Sequence, residues 1–306
     1  MQIEKVDYRC GTDACSAVLR RQPGIATRIR RKTWDAWLEA TDSITGRQRP
    51  FPQLIIGGGM RCGTTALFSY LAKHPQLSAS RRKEVHYFDL HFDRGHAWYK
   101  RQFRMGKAVS NNRHQLLFES SPYYMYEPRV PQRIHNTIPD ARLVFLLRDP
   151  IDRAISHYQK NLKDQRECLS LRDALEAEEE RLAGEEEKML NDPHYCSAVH
   201  QYFSYKARGR YAILIKRFFR YFPRNQILLI RSSRLFKQPT LTLAEVCDFL
   251  GVTRWQPDDY PVVNQSRIKT VVPKHIRDQL ESDFEPYERQ LEELIGWRSA
   301  DWPDKK

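Results

Sequence analysis

Two short stretches of the chain carry residue types whose spacing suits chemistry. In Lys83-Glu84-Val85-His86-Tyr87-Phe88-Asp89 a carboxylate and an imidazole stand two positions apart. Read as a short strand or strand end, Glu84-Val85-His86-Tyr87-Phe88 has a side-chain period of 2. That period places Glu84 and His86 on one face and Val85 and Tyr87 on the other. A carboxylate beside an imidazole is a candidate acid/base pair; the structural alternative is a salt bridge from Glu84 to Arg82 or Lys83. The second stretch is Gly57-Gly58-Gly59-Met60-Arg61-Cys62-Gly63-Thr64-Thr65. Gly58 and Gly63 have the spacing of a triphosphate-binding loop. Such a loop needs lysine after its second glycine to reach the β/γ-phosphates, and Thr64 stands there instead. Arg61, inside the loop, is the nearest cation. Backbone N–H groups and a helix start can still cradle a phosphate or sulfate, while the cation expected for ATP is displaced.

The elements needed to position these residues can be read from the hydrophobic pattern. Leu54-Ile55-Ile56 has the length of a buried strand, and Leu67, Tyr70 and Leu71 have helical spacing after the glycine-rich turn. A second short strand at 116–119 leads into Ser120-Ser121-Pro122-Tyr123-Tyr124, a turn of hydroxyls and aromatics, and a helix is expected at 131–138. The run Arg142-Leu143-Val144-Phe145-Leu146-Leu147 reads as a central parallel strand ending in Arg148-Asp149-Pro150, followed by a helix with Arg153, Ser156 and Tyr158. Ligands of open α/β sheets bind beyond the carboxyl ends of strands, which is where Arg148 and Asp149 fall. Further helices are expected at 94–103, through the acidic stretch 169–190, at 202–222, 240–250 and 273–295, with a strand at 226–230. Strands alternating with helices predict an α/β fold: a P-loop-type central parallel sheet of about five strands flanked by helices. Residues 1–50 read as a basic, helical N-terminal extension and 51–306 as the main domain.

Composition narrows the function classes. The chain has 306 residues, 41% of them hydrophobic, and a net charge of +13. The basic excess implies an acidic ligand or partner, or a solvated basic surface. Helix-turn-helix, zinc-finger, RRM and KH signatures are not found, so nucleic acid is not the expected partner. The cysteines Cys10, Cys15, Cys62, Cys168, Cys196 and Cys247 follow no zinc spacing, and no metal site is expected, His194-x-Cys196-x-x-x-His200 included. No segment approaches the ~18 consecutive apolar residues of a membrane span, and the first residues lack the apolar region of a secretory signal. A cytoplasmic location is the expectation.

Three motifs together resemble the sulfotransferases that use 3′-phosphoadenosine 5′-phosphosulfate (PAPS), most closely the heparan sulfate type. The similarity runs over about 52–297. Arg61-Cys62-Gly63-Thr64-Thr65-Ala66-Leu67 is similar to the family's loop around the 5′-phosphosulfate, which usually has lysine where Arg61 stands. In Leu147-Arg148-Asp149-Pro150-Ile151-Asp152-Arg153-Ala154-Ile155-Ser156, the resemblance implies that Arg148 and Ser156 hold the 3′-phosphate. It places Glu84 at the position of the catalytic base and His86 at a neighbouring active-site position. Arg267 and Lys269 look like tail residues that close over the nucleotide. The 164–205 region corresponds to a variable substrate or lid segment.

What the resemblance implies is transfer of a sulfuryl group from PAPS to a hydroxyl or amine of a carbohydrate, lipid or secondary-metabolite acceptor. The transfer is an in-line displacement in which positioning and charge stabilisation dominate and no metal is required. Glu84 can act as base if a dry cleft raises its pKa. Two departures bear on this reading. A planar arginine fork replaces the compact lysine ammonium at Arg61. Ser120 stands where 3-O-type relatives carry a lysine facing their anionic sugar, which speaks against a highly sulfated polysaccharide. The membrane anchor and tail disulfide of animal Golgi members are not seen. Two alternatives use the same residues: an ATP-dependent small-molecule kinase with Asp149 as a magnesium ligand, and a non-enzymatic polyanion-binding protein resting on the net charge and the basic arm.

Overall fold

The structure, a computed structural model, describes residues 49–104, 108–109, 113–261, 272–298 and 302. The N-terminal arm and the loop with Arg267 and Lys269 lie outside the described residues.

Five strands form one sheet: β1 (Leu54–Ile56), β2 (Leu77–Ala79), β3 (Leu116–Ser120), β4 (Arg142–Leu147) and β5 (Ile227–Arg231). Their order is β2-β3-β1-β4-β5, and every pairing is parallel. This matches the expected sheet. Alternation along the strands divides the core. Leu54, Ile56, Val144 and Leu146 face α1 (Thr64–Leu71) and α5 (Pro239–Leu250), named in chain order with the helices below, and pack on Leu67, Leu71, Leu243 and Val246. Ile55, Leu143, Phe145 and Leu147 face the other way. They pack with Ala212, Ile215 and Phe218 of α4 (Tyr211–Phe219) and with Leu291 of α6 (Lys274–Ile295). A third cluster joins Ile151, Ile155 and Tyr158 of α3 (Pro150–Lys163) to Leu175, Phe203, Tyr205 and Phe284, and so holds the 164–205 region against the sheet's carboxyl end.

The chain runs from β1 out to the β2 edge, returns at β3, then crosses to β4 on the far side of β1. The direction of winding therefore reverses beside β1, and the loops after β1, β3 and β4 converge there, at the kind of crevice where open α/β sheets bind ligands.

Four expectations are corrected. Residues 84–86 form no strand; α2 (Tyr87–Leu90) begins directly after them. Side-chain hydroxyls take the backbone donors that a sheet would need: Ser121 Oγ accepts N–H from Val85 and His86 (both 3.1 Å), and Tyr124 Oη accepts N–H from Tyr87 (2.8 Å) and Phe88 (3.2 Å). The expected helix at 202–222 is broken into Ala198–Tyr202, a 3₁₀ turn at Ala207–Gly209, and α4. Here the N–H groups of Lys206 and Ala207 go to the buried Glu178 carboxylate (2.6 and 2.7 Å) rather than into a helical ladder. The acidic 169–190 stretch folds as three short helices, Leu171–Glu176, Glu178–Leu182 and Glu185–Asn191. Glu178 and Glu185 turn inward and receive backbone or hydroxyl donors from 195–207, so this stretch is more than a solvated face. The helix expected at 94–103 is shorter, Gly95–Lys100, preceded by a 3₁₀ turn.

Candidate active site

The glycine-rich turn joins β1 to α1 as its pattern predicts, yet the reason for the three adjacent glycines is internal. A Cβ at Gly58 would lie 2.1 Å from the Leu146 backbone nitrogen, and one at Gly57 would lie 2.9 Å from the Phe145 ring. At Gly59 it would meet Cys62 Sγ at 2.7 Å. Gly57 to Gly59 thus let the chain lie flat on β4. Anion chemistry falls to the following residues. Gly63 takes φ +91°, open to glycine at no steric cost, and no side chain caps α1, which leaves its first N–H groups directed at the crevice. Thr64 and Thr65 open the helix at this point.

Arg61 has φ +69° and donates from Nε to Ser156 Oγ on α3 at 3.0 Å. That bond joins the loop to the second motif. Burial, and then the positive charge of Arg148, hold the Arg61 pKa below its usual value. Arg148, at the end of β4, pairs with Asp152 at 3.5 Å, and Asp152 also receives Arg277 of α6 at 3.2 Å. Asp149, the metal ligand a kinase would need, caps α3 by accepting the Asp152 N–H at 2.8 Å. Arg153 is fully buried; it donates from Nη2 to the Tyr205 carbonyl, while its Nε and Nη1 find no acceptor among the described residues. The imidazole of His157 is buried among these cations. Burial first, then the charges of Arg208, Arg153 and Arg61, keep it neutral. Cys62 is buried with its thiol 3.9 Å from Tyr211 Oη; burial pushes its pKa up, so it lines the site as an apolar group rather than a nucleophile.

Glu84 and His86 do come together, though through a direct bond and not a pleat. His86 Nε2 lies 3.0 Å from Glu84 Oε2 and its Nδ1 lies 2.8 Å from Asp89 Oδ2, a carboxylate–imidazole–carboxylate chain. Lys83 Nζ reaches the other Glu84 oxygen at 3.4 Å. Burial pushes the Glu84 carboxyl up, but the His86 hydrogen bond and the Lys83 charge outweigh it and hold the carboxyl at about 2. For His86, burial is likewise the largest single influence and lowers its pKa, yet Asp89 and Glu84 together raise it to about 10. At neutral pH Glu84 is an ionised carboxylate beside an imidazolium. The expectation that a dry cleft raises its pKa is therefore corrected: the neighbouring cations win.

A second layer of groups holds this chain in place. Glu119, at the end of β3 and fully buried, accepts O–H from Tyr99 (2.6 Å), Ser121 (2.8 Å) and Tyr124 (3.0 Å). Burial drives its pKa up to about 7 against those bonds. Since Ser121 and Tyr124 in turn fix the backbone of residues 85–88, Glu119 anchors the turn that carries Glu84. Ser120 is fully buried. The β1–β3 register sets Ile56 opposite Ser120, and the Ser121 N–H bonds the Ile56 carbonyl at 3.2 Å, so the glycine-rich loop and the 120–124 turn that anchors residues 85–88 leave the sheet side by side.

Sequence reasoning missed Asp89, Glu119, Ser121, Tyr124, Arg153 and Arg208 as site-building residues. Asp89 stood in the motif itself. The SSPYY turn after an apolar strand was the available signal for Ser121 and Tyr124, whereas Arg153 and Arg208 are indistinguishable by sequence from the chain's many other arginines.

Comparison with known proteins accords with this geometry. A family model described as "Sulfotransferase domain" matches residues 51–269. The chain is 28% identical over 274 residues to heparan sulfate glucosamine 3-O-sulfotransferase 6 of Mus musculus, covering 82% of this chain and 73% of the relative. It is 32% identical over 222 residues to the Homo sapiens protein of that name, covering 72% and 58%. Among solved structures, a sulfotransferase from Alicyclobacillus acidocaldarius superposes with a TM-score of 0.66 at 28% identity, covering 83% of this chain and 99% of that one. Among the described residues no helix is long and apolar enough to cross a membrane.

Proposed function

The chain belongs to the sulfotransferase family and is a PAPS-dependent sulfotransferase, and from that premise we propose that it moves the sulfuryl group of PAPS to a hydroxyl of a carbohydrate acceptor by in-line displacement, with Glu84 receiving the proton. The observation that carries the reading is the Arg61–Ser156 bond, which ties the glycine-rich loop to the helix after Arg148 and gathers Arg61 and Arg148 at one site.

Within this reading the uncapped N-terminus of α1 and Arg61 meet the 5′-phosphosulfate, where leaving-group charge develops as the S–O bond to the 5′-phosphate breaks. Arg148 and Ser156 hold the 3′-phosphate. Arg61 here serves two ends at once, since its fork can keep Ser156 while addressing the donor, which a lysine could not do in the same geometry.

Glu84 with a pKa of about 2 is a weak base in the free enzyme. A loose transition state suits such a group, because the acceptor oxygen loses its proton as the new S–O bond forms and its acidity climbs. An incoming sulfuryl group also draws on Lys83 and His86, which releases Glu84 from part of their stabilisation. A carbohydrate hydroxyl is the acceptor group acted on by the named 3-O-sulfotransferase relatives.

Titration of the full chain with PAP, the desulfated product, should give saturable binding, followed by transfer of radiolabelled sulfate from PAPS to one or more of a panel of glycans, lipids and phenols. Saturable PAP binding with transfer to phenols or lipids alone would overturn the carbohydrate assignment; absence of PAP binding would overturn the donor site itself.

A further inference from the structure

Arg208 sits in the 3₁₀ turn Ala207–Gly209, beside the donor loop, and is 4% exposed. Its contacts are neutral. Nε donates to Ser204 Oγ (2.7 Å), Nη2 to the carbonyls of Gln201 (2.5 Å) and His200 (3.4 Å), and the guanidinium lies over the rings of Tyr123 (4.9 Å) and Tyr126 (5.0 Å). Among the described residues no carboxylate stands within ion-pair distance. Aromatic faces and carbonyls offset only part of the cost of burying a cation. The remaining arm, Nη1, meets the thioether of Met60 at 3.1 Å, a weak acceptor on the residue preceding Arg61.

The surrounding charges define what this arm lacks. Burial brings the Arg208 pKa down to about 10, Tyr123 and Tyr126 oppose it, the neighbouring Arg153 adds to it, and the Glu84 carboxylate opposes it. Arg208 is thus a buried cation within electrostatic range of Glu84 whose least satisfied arm rests on the donor loop at Met60. In a sulfotransferase the group in transfer passes from the donor loop to the base, because it leaves the loop-bound phosphate and arrives at an oxygen held by the base.

Resting on the sulfotransferase reading, we propose that Arg208 binds the sulfuryl group itself: on donor binding Nη1 exchanges the Met60 thioether for a sulfuryl oxygen. Arg208 forms and breaks no covalent bond. The S–O bond to the 5′-phosphate breaks, the S–O bond to the acceptor forms, and the acceptor proton goes to Glu84, while the guanidinium stays with the equatorial oxygens throughout. A planar fork with two donors already committed to Ser204 and Gln201 is held in orientation before the donor arrives. Arg208 should therefore distinguish PAPS from PAP, which lacks the sulfuryl group.

Calorimetric titration of wild type, R208M and R208K with PAPS and with PAP, at 0 °C to limit donor hydrolysis, tests this without knowledge of the acceptor. R208M should weaken PAPS by about ten-fold or more, the size of one lost charge-assisted hydrogen bond, and leave PAP within about two-fold. R208K, which keeps the charge and loses the fork, should fall between, and it supplies the readout if R208M melts below the assay temperature. Equal weakening of PAPS and PAP in either folded variant, or no change in both, would overturn the proposal. Wild type that binds neither nucleotide would instead count against the donor site as a whole.

Discussion

The donor side and the acceptor side of the crevice are built in different ways. On the donor side the groups come from continuous stretches: nine residues after β1 and nine from Arg148 to Ser156, each placed by one strand end and one helix start. Spacing in sequence is there nearly the same thing as spacing in space. On the acceptor side, Glu84 sits on a turn with no regular backbone, fixed by hydroxyls from Ser121 and Tyr124, which are themselves fixed by Glu119, with Arg208 arriving from beyond residue 200. A cradle made of backbone can be read from glycines and a strand. One made of long-range side-chain bonds cannot, because each bond depends on a partner far away in the chain.

The largest effect that would sharpen this division is on turnover. Glu84→Gln keeps the shape of the turn and removes the proton acceptor, so sulfate transfer should fall by about 100-fold or more while PAP affinity stays within about two-fold. Transfer at the wild-type rate would remove Glu84 from the reaction; a parallel loss of PAP affinity would show that the two sides are not separable.

Next in size is a break on the donor side that involves no ligand group. Gly58→Ala would drive a Cβ into the Leu146 backbone, which cannot move as a side chain can. The cost expected is about 3 kcal/mol, read as a fall in the urea midpoint at unchanged slope. Protein still folded in the absence of urea should bind PAP normally, since Gly58 serves the sheet. Wild-type stability with lost PAP binding would return Gly58 to the cradle.

Legibility followed the same division. The five-stranded parallel sheet, the β4 boundaries, and the Arg61 and Arg148 placements were all predictable, because continuous apolar runs such as Leu143 to Leu147 and a glycine-rich turn are local signals. The 84–88 strand failed on a physical point. Alternating residue types there suit a strand, but side-chain acceptors on Ser121 and Tyr124 outbid a neighbouring strand for the backbone donors. The 202–222 helix failed for a related reason, with Glu178 capturing two N–H groups in mid-pattern. Burial alone predicts a raised Glu84 pKa, whereas His86 and Lys83, which the fold brings beside the carboxylate, hold it down. Even the glycines, correctly placed, had been assigned to a ligand when Gly57 and Gly58 answer to Phe145 and Leu146.

Ser121→Ala tests the acceptor-side scaffold one step removed from the reaction. It strips the acceptor from the Val85 and His86 N–H groups and a donor from the buried Glu119, and should destabilise the fold by about 1–3 kcal/mol. If Ser121 positions Glu84, kcat should fall several-fold with PAP affinity unchanged, and Ser121→Thr, which keeps the hydroxyl, should recover most of it. A purely structural role predicts lost stability with kcat per folded molecule intact.

The smallest expected effect is a pH dependence of stability specific to the Glu84–His86–Asp89 chain. His86 is raised from 6.5 to about 10 on folding, so its contribution is complete below pH 6.5 and is lost as pH climbs through about 10. Glu84 is lowered from 4.5 to about 2, so its share is complete above pH 4.5 and is lost as pH falls through about 2. Both are in place between these limits. The difference in urea midpoint between wild type and His86→Gln should accordingly be greatest and flat from pH 4.5 to 6.5, and shrink steadily on the alkaline side. A difference that rises as pH climbs toward 6.5 and then stays flat from pH 7 to 10 would mean that His86 is held neutral, and that Glu84 meets its acceptor without an imidazolium at its side.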